Sequence, residues 1–348
     1  MSYLDQIDVK EKHTFEEVNA LFYRLGMTDG LPVVPPTEER VARMLGGRNG
    51  DEVVGVLPPG QGEASWRKLA ICAVMAGCRP EYLPVLAAAV EAVAQPAFNA
   101  LGVLTTTGNT AVMLVVNGPA IQRCEMNAGP NALGPGNRAN ATIGRAFSLA
   151  VLNIASATPG KTDMATMGQP AKYGFCFAEN EAANPWEPLH VQRGLKREQS
   201  AVTAFGVGGC FEVVDSKSTT AANYLTTFAG SMKLAGSLGG NRTIGCGEAI
   251  LLLAPERART VARDFSLREV RQFIHDNVRI PLSALSPEVA EHLAKVRAAA
   301  GEPEGDLLAA ETPEDILVAV VGGVGIKSTF TPTWGGGTRA VTREIHFE

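Results

Sequence analysis

The residues best suited to chemistry lie in one short stretch that contains a cysteine, two glutamates and a histidine. Cys176 is followed by Glu179, Glu181 and His190. A thiolate forms at neutral pH only beside a base or a positive charge, and a carboxylate can orient such a base. The pattern therefore predicts Cys176 as nucleophile or redox thiol and His190 as general base or acid. Either Glu179 or Glu181 would orient the imidazole.

The same stretch is compatible with two other interpretations. Its carboxylates and imidazole would also serve as metal ligands. Alternating aromatic residues at Tyr173, Phe175 and Phe177 predict a strand, in which Cys176 would be an ordinary buried thiol on the opposite face. Asn180, between the two glutamates, is expected to contact the substrate.

A second polar stretch, residues 127–142, precedes an apolar helix predicted over 141–154. Glycine and asparagine adopt positive φ and leave backbone N–H groups free, which suits an anion at a helix N-terminus. An arginine adds a fork of donors for a carboxylate or phosphate. The residues expected to bind a small anionic substrate here are Asn131, Gly134, Gly136, Asn137, Arg138 and Asn140. The alternative is a long loop packed by its own side-chain hydrogen bonds.

Three smaller features are also candidate binding positions. Thr106 and Thr107 precede an apolar strand predicted over 111–116 and would present hydroxyl groups to a ligand. Cys246 lies at the corresponding point of a later stretch. Lys327 follows a glycine-rich turn after another strand, but this turn matches neither the phosphate-loop nor the dinucleotide pattern. The sequence therefore predicts no particular cofactor, and Lys327 is expected to contact substrate.

Bulk composition narrows the class of protein. The chain has 348 residues, a net charge of −5 and 45% hydrophobic residues, which is typical of a globular protein and gives no basic footprint for nucleic acid. Residues 1–12 lack the apolar core of a signal peptide, and the most apolar run, 83–93, is shorter than the ~20 residues of a membrane span. Six cysteines are too few for a disulfide scaffold. We therefore expect a cytoplasmic protein that does not enter membranes.

The elements that must position these residues follow an α/β pattern. Aligning Gly108 with Gly245 places apolar residues on apolar residues across two predicted strands, and the preceding helices also correspond. This predicts a degenerate duplication: two similar βα-rich halves in one compact body, with the site in the cleft between them. The expected divisions are an N-terminal segment, a first half, a second half with the Cys/Glu/His stretch, and a helical excursion with a C-terminal strand: 1–50, 51–160, 161–285 and 286–348.

Two motifs carry a resemblance to a known family. Asn131-Ala-Leu-Gly-Pro-Gly-Asn-Arg-Ala-Asn-Ala-Thr-Ile-Gly-Arg-Ala and Phe175-Cys-Phe-Ala-Glu-Asn-Glu, with Pro185-Trp-Glu-Pro-Leu-His, resemble a bacterial family of uncharacterised function. The resemblance implies an association with (seleno)cysteine proteins that carry a U/C-G-S-C motif. This chain contains no Cys-Gly-Ser-Cys, so that partner would be a separate protein. The resemblance assigns no catalytic residue.

The sequence thus predicts a cytoplasmic enzyme that acts on a small anionic metabolite by thiol-dependent, lyase-type bond cleavage. Hydride transfer is disfavoured because no dinucleotide fingerprint is present. The alternatives are a metal-dependent enzyme that uses the Glu and His ligands, and a non-catalytic partner of a redox-active (seleno)cysteine protein. A homo-oligomer is compatible with the broad apolar helices.

Overall fold

A computed structural model describes residue 4 and residues 13–234, 247–301 and 304–347, which form an α/β fold. The described helices are α1 (Phe15–Arg24), α2 (Glu38–Leu45), α3 (Trp66–Ala76), α4 (Leu83–Val93), α5 (Ala100–Thr105), α6 (Ala120–Arg123), α7 (Arg138–Asn153), α8 (Leu189–Gln192), α9 (Ala221–Ser231), α10 (Pro255–Ala262), α11 (Leu267–Asn277) and α12 (Pro287–Ala299). The described strands are β1 (Val53–Leu57), β2 (Gly62–Ser65), β3 (Ala111–Asn117), β4 (Cys176–Ala178), β5 (Ala201–Val207), β6 (Phe211–Val214), β7 (Ala249–Leu253), β8 (Arg279–Ile280), β9 (Leu307–Leu308), β10 (Ile316–Val320), β11 (Lys327–Pro332) and β12 (Val341–Glu344).

Local side-chain chemistry accounts for where the main helices begin. Thr37, Ser65 and Ser266 lie immediately before α2, α3 and α11, and each side chain accepts a hydrogen bond from a first-turn N–H group. At Ser266 the backbone N–H donates in return to the Glu269 carboxylate, which completes a capping box. Residues 31–36 form an apolar run interrupted by prolines, which predicts a short strand, but the structure has no strand there.

The first four-stranded sheet has the order β12–β5–β3–β4. Strands β3 and β4 are parallel, with Leu114 opposite Cys176, whereas β5 is antiparallel to both β3 and β12. The strand expected through Tyr173 and Phe177 is therefore shorter than predicted. A 3-10 turn occupies Pro170–Tyr173, and Gly174 interrupts the extended run before β4.

The second four-stranded sheet has the order β10–β7–β11–β6 and, read from β6, shows the same sequence of strand directions as the first sheet read from β12. Strand β7 is parallel to β10 and antiparallel to β11, which is antiparallel to β6. The chain leaves the first sheet after β5 to form the edge of the second, and leaves the second after β11 to form the edge of the first. The two sheets share an arrangement, while their origin by duplication stays a prediction.

The two sheets enclose an inner apolar layer and carry helices on their outer faces. Phe177 and Phe205 of the first sheet meet Leu252 and Leu317 of the second in this inner layer. Helices α3, α4 and α7 cover the first sheet, and α9, α10 and α11 cover the second. The sequence division expected at residue 160 does not follow the sheets, because β4 and β5 both belong with β3.

Candidate functional site

The Glu179 carboxylate lies at the carboxyl end of β4 and is completely buried. Four N–H donors reach it: the side chains of Asn117 at 2.6 Å and Asn184 at 2.8 Å, and the backbone N–H groups of Leu189 at 2.8 Å and Val320 at 3.3 Å. Burial raises the pKa of the Glu179 carboxyl to about 7, against the lowering effect of these donors. Because Val320 belongs to β10, this carboxylate ties the two sheets together.

Asn117 connects Glu179 with the second glutamate of the stretch. Its Nδ2 donates to Glu179 and also to Glu181 Oε1 at 2.9 Å, and Glu181 Oε1 accepts the Gly118 N–H at 2.7 Å. His190 is buried, with Nδ1 3.6 Å from Glu181 Oε1. The two glutamates and His190 therefore lie together, as the sequence predicts. Asn117, at the end of β3, is the member that sequence reasoning missed.

Cys176 does not join this cluster. Cys176 and Ala178 pack with Leu114 in the core beneath the helices, whereas Phe177 points into the layer between the sheets. Burial raises the pKa of the Cys176 thiol, and the neighbouring thiol of Cys124 adds to the effect. The nucleophile assignment is therefore corrected: the thiol lies on the helix-facing side of β4, in surroundings that favour its protonated form.

The metal alternative also finds no support in the geometry. Within the described ranges, no three side chains among His, Cys, Asp and Glu are placed to hold a metal ion. In the cluster, the donors to Glu179 are amide and backbone N–H groups, which occupy its oxygens.

The asparagine- and glycine-rich loop before α7 is held by its own hydrogen bonds. Arg138 donates from Nε at 3.0 Å and from Nη2 at 2.9 Å to the carbonyl of Gly77, at the end of α3. Asn131 Nδ2 donates to the Pro135 carbonyl at 2.6 Å, and Asn137 caps α7. The expected guanidinium fork for an anion is therefore corrected, because Arg138 binds a helix C-terminus instead.

The buried Asn140 holds the same loop from inside. Its side chain accepts the Asn127 N–H at 3.1 Å and donates to the carbonyls of Asn127 at 2.8 Å and Ala132 at 3.1 Å. A buried amide with three loop partners is a structural group. The loop-packing alternative thus describes this segment better than the substrate-binding one, and Gly134 and Gly136 belong to that packed loop.

The remaining predicted positions are dispersed. Asn180 donates to the carbonyls of Val320 and Gly322, so it joins the two sheets. Thr106 accepts the Gly108 N–H at 3.0 Å, a local turn contact. Lys327 is exposed and pairs with Glu212 across β11 and β6 at 3.1 Å. Thr107 accepts a backbone bond from Thr166 through its carbonyl, and Cys246 lies outside the described residues.

A cavity of about 650 Å³ lies elsewhere, at the amino end of β3. We call it the loop pocket, because the irregular segment 157–173 forms one of its walls. Its other walls come from α5, from the start of β3, from α7 and from the segment after α1. The residues of those walls are Val103, Leu104, Thr110, Val112, Phe147, Ser148, Val151, Leu152, Gly26, Thr28 and Asp29. A cavity of this size fits a small organic molecule.

Two ion pairs border the loop pocket. Lys172 Nζ donates to both carboxylate oxygens of Asp163, at 2.7 and 2.6 Å, and both side chains are mostly buried. Arg145 holds Asp29 through Nε at 2.8 Å and Nη2 at 2.9 Å, and also donates to the Pro32 carbonyl at 2.8 Å. The first pair links two residues within the segment 157–173. The second links the segment after α1 to α7.

Thr110 adds an unusual polar group to the pocket wall. Its Oγ1 is buried and has no hydrogen-bond partner in the part of the chain that the structure describes. A buried hydroxyl without a partner is destabilising, so such groups call for an explanation such as a bound water or ligand. Thr110 stands seven residues before Asn117, the residue at the far end of β3 that contacts Glu179. At about 3.3 Å per residue of strand, this puts the pocket about 23 Å from Glu179.

Sequence reasoning missed the loop pocket because none of its residues forms a recognisable motif. The one available signal is the length of the irregular segment between α7 and β4, since long loops in compact domains are usually functional. The sequence instead favoured a site at the carboxyl ends of the strands, where α/β proteins commonly bind ligands.

Comparison with known proteins leaves the family open: no protein-family model matches this sequence, and no curated protein matches it significantly. The resemblance to the bacterial family with the two motifs therefore stays a prediction. Among the described residues, no helix has both the length and the apolar character needed to cross a membrane.

Proposed function

We propose that the protein binds a small organic molecule in the loop pocket and acts on it as an enzyme. The observation that supports this most is the placement of one Lys–Asp pair, Lys172 and Asp163, on the wall of an otherwise largely apolar cavity. Polar groups that can exchange protons, set in an apolar pocket, are the usual composition of an active site.

The reaction class that fits these groups is proton transfer. Lys172 has a third N–H that Asp163 does not occupy, so it can donate to an oxygen of the substrate. Asp163 can accept a proton from the substrate once the pair opens. Elimination or addition, the chemistry of a lyase, needs one acid and one base of this kind. Cys176 has no part in this proposal.

The experiment is a binding titration with 1-aminoanthracene, an uncharged fluorophore, on wild-type protein and two tryptophan variants of α7. Ser148 lines the loop pocket, whereas Ala141 is exposed on the same helix outside it. We expect Ser148→Trp to abolish the fluorescence increase by filling the cavity, and Ala141→Trp to bind like wild type. Equal binding by all three proteins, or none by wild type, would contradict the proposal.

A further inference from the structure

Among the residues that the structure describes, every charged side chain that lines the loop pocket is paired with an opposite charge. The lining contains Lys172, Asp163 and Asp29. Lys172 and Asp163 neutralise each other within the wall, at 2.6 Å. Asp29 is neutralised by Arg145, which approaches it from α7 at 2.8 Å. The wall thus carries no net charge once Arg145 is included.

The inner surfaces around these pairs are apolar. Val103, Leu104 and Phe147 are buried core residues that also line the cavity, and Ala157 begins the opposite wall. An ionised ligand group placed against such residues loses its hydration. It finds no free counter-ion in return, because the charged side chains of the wall are already paired with each other or with Arg145. From this arrangement we infer that the ligand of the loop pocket is an uncharged, mainly apolar molecule. This inference rests on the proposed function and names its substrate class.

The Lys172–Asp163 pair discriminates against both signs of charge. A carboxylate that approaches Lys172 also approaches the Asp163 carboxylate, which holds two of the three N–H groups of Lys172. An ammonium group that approaches Asp163 meets the Lys172 ammonium in the same way. Like-charge contacts of this kind give specificity by excluding the wrong ligands. An uncharged hydroxyl or amide can use the remaining Lys172 N–H without opening the pair.

A matched ligand series tests the inference on the wild-type protein. Indole-3-ethanol, indole-3-acetate and tryptamine share one ring system and differ in the charge of the head group. Each competes with 1-aminoanthracene for the pocket, which gives its relative affinity. We expect the alcohol to bind about tenfold more tightly than either charged compound, or better. A carboxylate or amine that binds as tightly as the alcohol overturns the inference, even if fluorophore binding upholds the proposed function.

Two variants of the pair make the test reciprocal. Asp163→Asn leaves Lys172 without its counter-ion, so the preference should shift toward indole-3-acetate. Lys172→Met leaves Asp163 unpaired, so the preference should shift toward tryptamine. Glu291→Gln is the matched control, because it breaks an exposed Lys–Glu pair on α12, at 2.6 Å in the wild type, outside the pocket.

The variants are interpretable only as folded proteins, which circular dichroism and thermal unfolding establish. If one of the two fails to fold, the other still tests the reciprocal shift, and the wild-type series stands alone. Unchanged selectivity in a folded Asp163→Asn or Lys172→Met protein contradicts the inference. Failure of the uncharged fluorophore to bind wild type contradicts the proposed function instead, so the two failures are distinguishable.

Discussion

Thr110 has an environment that departs from the rules of a stable core. It is buried at the start of β3, and its hydroxyl has no partner among the described residues. Removing a polar group that is buried without a partner is neutral or stabilising. We expect Thr110→Val to raise the free energy of unfolding of the ligand-free protein by about 1 kcal/mol, measured by urea denaturation.

The control is a threonine of the same burial whose hydroxyl is satisfied. Thr203 Oγ1 lies 2.9 Å from Thr342 Oγ1, between β5 and β12. Thr203→Val removes one partner of a buried hydrogen bond and should lower the free energy of unfolding. If Thr110→Val destabilises the protein as much as Thr203→Val does, the Thr110 hydroxyl has a partner after all.

Glu179 gives the protein a pH dependence of definite sign. The pKa of its carboxyl is about 7 in the folded chain, against an ordinary value of 4.5, because burial disfavours the ionised form. The folded chain therefore binds this proton more tightly than the unfolded chain. The free energy of unfolding should fall as pH rises from about 4.5 to about 7, and the Glu179 contribution should be constant above that range.

The measurement compares wild type with Glu179→Gln by urea denaturation at several pH values between 5 and 8. The variant should be less stable throughout, because the glutamine NH2 group cannot accept a hydrogen bond and would face N–H donors that now bind a Glu179 oxygen. Its stability should also lack the decline that Glu179 causes in wild type. Two parallel curves would show that Glu179 stays ionised over the whole range.

At the scale of elements, α7 packs closely against the segment that precedes β4. A methyl group on Gly144 would lie 2.8 Å from the Phe175 nitrogen, and one on Gly174 would lie 2.6 Å from the Arg145 nitrogen. These distances are shorter than real side-chain contacts, so glycine is required for the close approach. Both the loop pocket and β4 depend on this helix position.

Gly144→Ala should therefore lower the free energy of unfolding by about 1–3 kcal/mol, as overpacked cores do. Gly230→Ala is the matched control: it also lies in a helix, α9, but a methyl group there meets no atom within 4 Å. That substitution should stabilise the protein by up to about 1 kcal/mol through helix propensity. Thermal and urea unfolding of the two variants measure these changes in the free energy of unfolding. Equal changes in the two variants would contradict the close packing at Gly144.

Elements with local signals were predictable from the sequence, and those fixed by distant partners were not. Thr37 with Gly46 brackets α2, and Ser266 with Glu269 starts α11, because caps act within one turn. Strand β11 lies in a Gly- and Pro-rich stretch and exists because β7 and β6 pair with it on either side. Its pairing energy is not encoded in the residues of the strand itself.

The candidate site shows the same division. The sequence predicts that Glu179, Glu181 and His190 lie together, because they are close along the chain. Cys176 is even closer in sequence, but the two-residue period of a strand turns its side chain to the other face. The loop pocket brings together residues from 26 to 173, and the sequence carries no pattern for such a meeting.

At the scale of the molecule, the two sheets are built to fold as one unit. The edge strand β12 of the first sheet follows β11 of the second, and β6 of the second follows β5 of the first. The inner layer between the sheets is one continuous apolar cluster, which includes Phe177, Phe205 and Leu252. Neither sheet can lose its structure without uncovering the core of the other.

We therefore expect one cooperative unfolding transition in calorimetry, with equal calorimetric and van't Hoff enthalpies. Trp66 packs at the helix-covered face of the first sheet and Trp186 at that of the second, so each tryptophan reports on one sheet. The third tryptophan, Trp334, is buried with the core of the first sheet, so both variants also carry Trp334→Phe. Fluorescence of the two double variants, Trp66→Phe and Trp186→Phe in this background, should give the same midpoint after correction for the stability of each variant. Two separated transitions would show independent halves.

The loop pocket as the ligand site is tested most directly by a crystal structure of the protein with indole-3-ethanol at saturating concentration. We expect the indole ring in the cavity between α7 and the segment 157–173, against Phe147 and Val151, with the Lys172–Asp163 pair intact. Indole-3-ethanol bound at another position, with the loop pocket left without density for it, would contradict the claim.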